Sequence, residues 1–184
     1  GPDLSAWSQA PDGRLFIRFD FGKLNPADMG PNGGTTAEGY HAIDKGTGYV
    51  SGKFGWVTYA PRNDFRGAEG LPEPYRDYVW GTDDAAFKLD LPNGTYRVTD
   101  YFCSAEDAAH EVNLLANGAQ VIKNLIVPAG NETVERTYTV TVTQGYLTHV
   151  IYIQRKRVPQ PGRHDHWVWS GFTVEQISAN HVSP

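Results

Sequence analysis

The sequence is poor in cysteine, with Cys103 as the single example in 184 residues. A lone cysteine excludes an intrachain disulfide, and it excludes a zinc site built from several thiolates. Because Tyr101 and Phe102 precede it, we expect Cys103 to be a buried structural thiol. A nucleophilic role would need a histidine partner, which the sequence does not place.

The chain also lacks the features of a nucleic-acid-binding or membrane protein. Its formal net charge is −5, and its densest basic run is only Arg155-Lys156-Arg157, so we expect no nucleic-acid partner. No apolar run approaches the ~20 residues that span a bilayer, and no signal peptide is present, so we expect no membrane insertion. Gly1-Pro2 is typical of the remnant of a cleaved purification tag, so the missing leader says little about the natural protein.

Sequence motifs of the common catalytic sites are missing as well. There is no Gly-x-Ser-x-Gly elbow, His-Glu-x-x-His helix, Walker loop or dinucleotide fingerprint. We therefore expect a protein that is not an enzyme. A small β-jelly-roll polysaccharide lyase or hydrolase acting on an anionic polysaccharide stays open as the alternative, because tyrosine, histidine and arginine, the usual bases and charge-neutralising groups, are abundant.

Alternation of apolar and polar residues dominates what is present. In residues 15–21, Leu15, Ile17, Phe19 and Phe21 share one face of a predicted strand. Helical periodicity is nearly absent. Turn residues recur about every ten positions, which predicts an all-β antiparallel β-sandwich of the jelly-roll type. The further predicted strands are residues 87–91, 95–103, 112–116, 121–127, 135–143, 147–154 and 167–177.

Residues 92–94 lie between two predicted strands, and Asp100 lies within the second of them. The sequence Pro92-Asn93-Gly94 predicts a tight hairpin between the strands on either side.

In the predicted strand at residues 95–103, the face that carries Tyr96, Val98 and Phe102 also carries Asp100. A carboxylate on an apolar face is costly, so we expect a bulge or a structural pair there, with a polar binding site as the alternative.

The size of the chain fits one domain, which buries roughly 70% of the surface of its unfolded chain. We place the domain at residues 15–177. Residues 1–14 are interpreted as the tag remnant followed by an N-terminal extension, and residues 178–184 as a polar tail.

Aromatic residues and arginines are concentrated in residues 54–80, among Gly, Pro and Asp. So many rings cannot share one face of a regular element, so we expect several at the surface, beside cations and hydrogen-bonding groups. That combination suits sugars, since a ring stacks on a pyranose and arginine binds hydroxyls, carboxylate or sulfate. The alternative is a long loop whose rings form a small satellite core.

A second cluster runs from Arg163 to Trp169. Alternation with Phe172 and Val174 predicts that Trp167 and Trp169 face outward, unless another loop covers them. The His164-x-His166 pair is a weak metal signal, and solvated or sugar-contacting histidines are the alternative. His110 follows the acidic residues Glu106 and Asp107 and is a candidate for contact with a sugar hydroxyl, with a solvated acidic loop as the alternative. The binding site is thus predicted to come from Trp56, Tyr59, Arg62, Tyr75, Arg76, Tyr78, Trp80, Trp167 and Trp169, with His110, Arg163 and His164 as further candidates.

Several short sequence motifs occur one after another along the chain: residues 18–22 (RFDFG), 37–40 (AEGY), 48–56, 87–98 (FKLDLPNGTYRV), 143–147 and 170–175. In this order the chain resembles malectin-like, galactose-binding-like β-sandwich carbohydrate-binding modules of polysaccharide-degrading enzymes, such as the N-terminal modules of rhamnogalacturonan acetylesterases. The resemblance covers residues 15–177. The Leu-Pro-Asn-Gly-x-Tyr-x-Val phrase, at residues 91–98, is chiefly a fold signature.

The resemblance implies sugar binding either in loops at one end of the sandwich or on a concave sheet face. It also implies a possible structural calcium ion, for which Asp20 and Glu175 are the candidates, with a solvated strand face as the alternative. No other cofactor is expected.

From these observations we predict a non-catalytic, monomeric, secreted or cell-surface module. It is joined covalently to a catalytic domain and anchors that enzyme to a plant or algal cell-wall polysaccharide. Three arginines beside the rings favour an anionic glycan over a neutral one. A protein-interaction or adhesion domain that uses the same loops is the third possibility.

Overall fold

The structure is a computed structural model that describes residues 1–22, 38–57, 63–66, 71–154 and 162–178, with only the backbone given for 63–66. The described part of the chain contains no helix long and apolar enough to cross a bilayer. A short 3-10 helix at Leu4–Ala6 precedes the strands. The strands are β1 (Ser8–Gln9), β2 (Leu15–Phe21), β3 (His41–Ile43), β4 (Phe54–Trp56), β5 (Asn63–Arg66), β6 (Asp77–Gly81), β7 (Ala85–Asp90), β8 (Gly94–Phe102), β9 (His110–Ala116), β10 (Ala119–Val127), β11 (Val134–Val142), β12 (Tyr146–Tyr152), β13 (Trp167–Trp169) and β14 (Gly171–Gln176).

These strands form three sheets. Sheet 1 has the order β1-β2-β14-β8-β11, with β3 beside β2; sheet 2 has the order β10-β9-β12-β7-β4; and sheet 3 has the order β13-β6-β5. Every pairing is antiparallel except that of β3 with β2. The predicted antiparallel β-sandwich is therefore confirmed. Strand β1 pairs with β2, so sheet 1 begins before Leu15.

Aromatic side chains fill the space between sheets 1 and 2. Phe19, Phe21, Phe87 and Phe172 are all fully buried. The rings of Phe19 and Phe172 lie 4.9 Å apart, and the ring of Phe21 meets Trp169 edge-on at 4.8 Å. Burial of each such side chain contributes about 1.5–3 kcal/mol to folding. The alternation seen in the β2 sequence is thus the inward face of this strand, as predicted.

The predicted hairpin at residues 92–94 is wrong. Strand β7 belongs to sheet 2 and β8 belongs to sheet 1, so this turn carries the chain from one sheet to the other. Residues 143–145 make the same kind of crossing between β11 and β12. The two crossings meet, because the backbone N–H of Gly145 donates to Oδ1 of Asn93 at 2.8 Å. A turn sequence specifies a reversal of direction, but not whether the next strand pairs with the last one.

Asp100 lies on the inward face of β8 and is fully buried. Pairing runs without a shift through Asp100 on both sides, opposite Arg136 of β11 and Phe172 of β14, so there is no bulge. Instead, Trp169 Nε1–H donates to Asp100 Oδ1 at 3.1 Å. Of the alternatives raised by the sequence, the structural pair is the correct one.

Candidate functional site

Three of the predicted sugar-stacking tryptophans are buried, so the expectation that they face solvent is wrong. Trp167 and Trp169 are 0% exposed and Trp56 is 5% exposed, which leaves no ring face for a sugar. Each indole N–H is satisfied inside the protein, by the Asp83 carbonyl for Trp167, Asp100 Oδ1 for Trp169 and the Asp44 carbonyl for Trp56. A large ring with one satisfied polar atom is a stable core residue.

The outward prediction for Trp167 and Trp169 failed because the chain changes sheet between β13 and β14. The predicted alternation of side chains requires one continuous strand through Ser170 and Gly171. In the structure, β13 pairs with β6 in sheet 3 and β14 belongs to sheet 1. A Cβ atom on Gly171 would lie 2.3 Å from the carbonyl oxygen of Phe19. The absence of a side chain at Gly171 therefore lets the backbones of β14 and β2 come this close. The alternation of inward and outward side chains begins anew in β14.

Five other predicted residues gather at one end of the sandwich: Tyr78, Trp80, His110, Arg163 and His164. Tyr78 and His110 are fully buried, Trp80 and His164 are partly exposed and Arg163 is exposed. Of these five, Trp80, His164 and Arg163 are open to solvent and can contact a ligand. Glu106 and His166 complete the group.

Two further candidates, Tyr75 and Arg76, lie on the segment before β6 and are partly exposed. The ring of Tyr75 meets that of Tyr101 edge-on at 5.4 Å, and the Tyr75 hydroxyl donates to Glu135 Oε2 at 3.2 Å. Tyr59 and Arg62 lie outside the described residues.

Asp20 and Glu175 do not form one calcium site. On paired strands β2 and β14, Glu175 lies opposite Phe16, and Asp20 lies opposite Gly171. The two acids are therefore four positions apart, or about 13 Å at the rise of a strand. Glu175 forms an ion pair with Arg97 at 2.9 Å instead.

The outward face of sheet 1 carries a groove that the predicted site residues did not include. It has a volume of about 350 Å³ and lies across β2, β14 and β8. We call it the outer groove and define it by eight of its lining residues: Arg14, Phe16, Arg18, Tyr40, Thr99, Tyr101, Thr173 and Glu175.

Strand register explains the order of side chains in the outer groove. Thr173 of β14 lies between Arg18 of β2 and Thr99 of β8, while Gly171 lies opposite Tyr101. Residues two apart on a strand share a face, so Phe16 joins Arg18, and Tyr101 joins Thr99.

Arg18 is held between two rings in this groove. Its guanidinium carbon lies 4.6 Å from the centre of the Phe16 ring and 5.7 Å from that of Tyr40. Cation–π contacts of this kind fix a guanidinium while leaving its N–H edges free to bind oxygen atoms. Burial, together with the neighbouring Tyr101, raises the pKa of Tyr40 to about 12, so its hydroxyl is a neutral hydrogen-bonding group.

The groove thus combines ring faces, one fixed cation and short hydroxyl side chains. Aromatic faces bind the apolar side of a pyranose, a guanidinium binds a carboxylate through two hydrogen bonds, and threonines serve ring hydroxyls. The signal for it was available in the sequence: Phe16 is an aromatic residue at an outward position, and the polar face of β2 carries Arg18. What the sequence could not give was the register that aligns β2 with β8.

No family model matches the sequence, and no curated protein sequence matches it. Three solved structures share the fold at a probability of 1.00: protein YxiM from Bacillus subtilis (23% identity, TM-score 0.63), the beta-glucuronidase of Bacteroides uniformis (12%, 0.61) and the ANX2 ectodomain from Arabidopsis thaliana (9%, 0.62). The alignments cover 90%, 89% and 93% of this chain.

The same alignments cover only 41%, 18% and 54% of those chains. This chain therefore corresponds to one part of each larger protein. At identities this low the likeness concerns the fold. These structures share the β-sandwich fold of this chain.

Proposed function

We propose that the chain is a carbohydrate-binding module and that its ligand is an anionic polysaccharide bound in the outer groove. The observation that carries the proposal is that Arg18 lies between the rings of Phe16 and Tyr40, in a groove that Tyr101 also lines. A fixed guanidinium next to a ring face matches a sugar that presents an apolar side and a carboxylate. Uronic acid residues have both.

The carboxylate of Glu175 lies at the far end of the groove. Glu175 lies between Arg97, at 2.9 Å, and Arg14, at 3.8 Å. This carboxylate is therefore neutralised by the protein and does not repel an anionic chain, while its remaining oxygen capacity serves ring hydroxyls. Tyr75, which contacts Tyr101, extends the aromatic surface at the other end.

The comparisons support a role as one module of a larger protein. The chain corresponds to 18% of a beta-glucuronidase and to about two fifths of YxiM, so its fold occurs within longer chains. We infer that it anchors a secreted or cell-surface enzyme to a plant or algal cell-wall polysaccharide. Tethering raises the effective concentration of the enzyme at its substrate without any new chemistry.

The test is electrophoresis through gels that contain one polysaccharide each: polygalacturonate, alginate, porphyran, xylan and agarose. We expect retardation in a uronate gel and not in neutral xylan or agarose. Tyr101→Ala removes a ring contact of about 0.5–1.5 kcal/mol, which lowers affinity about two- to tenfold. Arg18→Ala removes a charge-assisted hydrogen bond of about 1.5–3 kcal/mol, which lowers it at least tenfold.

The outer face of sheet 2 provides matched controls. There Lys88 Nζ lies 4.8 Å from the Tyr49 ring and 4.9 Å from the Tyr146 ring, which repeats the cation-and-ring arrangement on the other side of the molecule. Lys88→Ala and Tyr146→Ala are expected to leave retardation unchanged. Equal losses in these variants and in Arg18→Ala, or retardation in no gel, would overturn the proposal.

The same panel tests the enzyme alternative. A lyase produces unsaturated uronates that absorb in the ultraviolet, and a hydrolase produces new reducing ends. We expect neither product from any polysaccharide in the panel. Turnover that persists through purification and disappears with a single tyrosine or histidine substitution would replace the binding module with an enzyme.

A further inference from the structure

Four side chains at one end of the sandwich form a compact group, which we call the histidine cluster: Glu106, His110, His164 and His166. His164 Nε2 lies 2.7 Å from Glu106 Oε2, and His166 Nε2 lies 3.2 Å from Glu106 Oε1. The ring of His110 stacks on that of His164 at 4.8 Å. Imidazole and carboxylate groups are the common protein ligands of divalent transition metals.

Backbone pairing brings the two histidine-bearing segments together. The N–H of Ala109 donates to the carbonyl of Gly162 at 3.1 Å, and the N–H of His164 donates to the carbonyl of Ala109 at 2.8 Å. This parallel bridge between Ala109 and Arg163 fixes the start of β9 against the segment that leads into β13. His110 and His164 are therefore neighbours because of the fold, although they are far apart in the sequence.

His110 has the arrangement of a metal-ligating histidine. Its Nδ1 lies 2.9 Å from the carbonyl oxygen of His166, and since a carbonyl only accepts, Nδ1 carries the proton. Nε2 is then left with a lone pair. A second ring nitrogen that is held by a carbonyl is the usual way in which proteins orient an imidazole toward a metal.

The lone pair of His110 has no partner within the described residues. The side chain is 0% exposed, and Nε2 accepts no hydrogen bond from any described group. A buried polar atom without a partner costs about 1–3 kcal/mol, so such atoms call for an explanation.

His164 and Glu106 supply two more donors around the same point. One ligand atom from each of Glu106, His110 and His164 lies within 4.8 Å of the others. His164 Nε2 is close to Glu106 but makes no aligned hydrogen bond with any described group. Ligands at about 2.0–2.1 Å from a tetrahedral zinc ion lie roughly 3.4 Å apart. Coordination therefore needs only small side-chain shifts, in which the separations of up to 4.8 Å shorten and the 2.7 Å between His164 Nε2 and Glu106 Oε2 lengthens.

Glu106 is held in place by groups that are not ligands. His166 Nε2 lies 3.2 Å from Glu106 Oε1, and the hydroxyl of Tyr78 donates to the same oxygen at 3.3 Å. The ring of Trp80 covers His166 at 4.6 Å. Because both contacts involve Oε1, Oε2 remains the oxygen directed at His164.

We propose that Glu106, His110 and His164 form a binding site for a divalent transition-metal ion, with zinc as the favoured occupant and His166 as a positioning residue. Two imidazoles and one carboxylate favour zinc and its neighbours over calcium and magnesium, which prefer oxygen ligands. Three protein ligands leave one position of a tetrahedral ion for water or a ligand atom. The proposal is independent of sugar binding in the outer groove.

The experiment uses tag-free protein that has been dialysed against a chelator and then titrated with ZnSO₄ in a calorimeter. We expect one ion per chain and a thermal midpoint that rises with zinc concentration, because an ion that binds only the folded state stabilises it. Replacement by Co²⁺ is expected to give the intense visible absorption of a tetrahedral site. Calcium is expected to produce neither effect.

Variants identify the ligands. His164 and Glu106 are partly exposed, so His164→Gln and Glu106→Gln should fold, and each is expected to weaken zinc binding at least tenfold. His166→Gln keeps the backbone carbonyl that holds His110. It is expected to lower the zinc affinity about 10- to 100-fold, because His166 holds the ligand Glu106 in position. His41→Gln is the matched control, because His41 bonds to the carbonyl of Ala6, away from the cluster.

Circular dichroism of each zinc-free variant establishes that it is folded before its affinity is compared. Absence of zinc binding by the parent chain overturns the proposal. So does zinc binding that His164→Gln and Glu106→Gln leave unchanged, since the ion would then lie elsewhere. A loss in His41→Gln as large as that in His164→Gln overturns it as well.

Discussion

The indole of Trp169 donates a hydrogen bond of 3.1 Å to Oδ1 of Asp100, which is fully buried inside the sandwich. Close by, the hydroxyl of Tyr138 lies 2.9 Å from Nε2 of His149, which is also fully buried. Two titratable side chains therefore share the interior of a protein core. Their protonation states are tied to folding.

Opposite pKa shifts at Asp100 and His149 predict a pH dependence of stability that two variants can separate. Burial raises the pKa of Asp100 to about 7, with the hydrogen-bonding groups of Tyr138 and Trp169 offsetting part of this effect. Above its unfolded value of 3.8 the folded chain therefore holds a proton that the unfolded chain has lost, so this group makes stability fall from about pH 4 to pH 7. Burial lowers the pKa of His149 to about 3, so stability from this group rises from about pH 3 to pH 6.5.

In the parent chain these two slopes oppose each other. Asp100→Asn removes the contribution of Asp100 and keeps that of His149. The free energy of unfolding of this variant should therefore rise between pH 4 and pH 6.5 relative to that of the parent chain. His149→Gln leaves the aspartate slope and should do the reverse. Each slope approaches about 1.4 kcal/mol per pH unit at most, and urea unfolding at several pH values measures it. Curves that stay parallel for all three proteins would contradict the prediction.

Removal of the indole donor is expected to destabilise the fold. Trp169→Phe keeps a buried ring but leaves Asp100 without its Trp169 partner. The cost of an unsatisfied buried acceptor is about 1–3 kcal/mol, in addition to the lost ring volume. The double variant with Asp100→Asn should recover part of the loss at pH 7, which a double-mutant cycle of urea midpoints would show. Strictly additive effects would mean that the two residues do not interact.

Gly171 is predicted to tolerate no side chain. A Cβ atom there would lie 2.3 Å from the Phe19 carbonyl oxygen, whereas Gly118 has open space around the same position. Gly118 has a φ of +82°, so Gly118→Ala carries only the left-handed strain of about 1–2 kcal/mol. Gly171→Ala adds a backbone collision and should cost about 3 kcal/mol or more. Thermal denaturation compares them, and equal midpoints would contradict the close approach of β14 to β2.

Cys103 is expected to be unreactive in the folded protein. It is 1% exposed, and burial raises the pKa of its thiol to about 11, so almost no thiolate forms at neutral pH. A colorimetric disulfide reagent should label the chain only after urea unfolds it. Stoichiometric labelling of native protein within minutes would show an open thiol instead.

Local pattern predicted the strands better than it predicted their partners. The period-two sequence of β2 fixed its bounds and its inward face, and the Asn117-Gly118 turn joins β9 to β10 as a hairpin, with both residues at positive φ. The same reasoning failed at Pro92-Asn93-Gly94, where the chain crosses between sheets. Pairing across a turn depends on the packing of the two sheets, and no local signal reports that.

The candidate sites show the same division. The tryptophans Trp56, Trp167 and Trp169 were predicted to bind the ligand, yet their rings form part of the core. For Trp167 and Trp169 the reason is that the alternation of inward and outward side chains does not continue where the chain passes from one sheet to another. The outer groove depends on long-range register between Arg18, Thr173 and Thr99. The histidine cluster depends on the bridge between Ala109 and Arg163. Both arise from contacts between segments that are distant in sequence.

The most direct test of the central claim compares two forms of one polymer, de-esterified and fully methyl-esterified homogalacturonan, by calorimetry with the parent chain, Arg18→Ala and Lys88→Ala. The two forms share one backbone and differ at the carboxyl group, which is a charged carboxylate in one and a neutral methyl ester in the other. We predict that the parent chain and Lys88→Ala bind the charged form at least tenfold more tightly than the ester, that added salt weakens this binding, and that Arg18→Ala shows no preference. Equal affinity of the parent chain for both forms, or a preference that survives in Arg18→Ala, would contradict recognition of an anionic glycan by the outer groove.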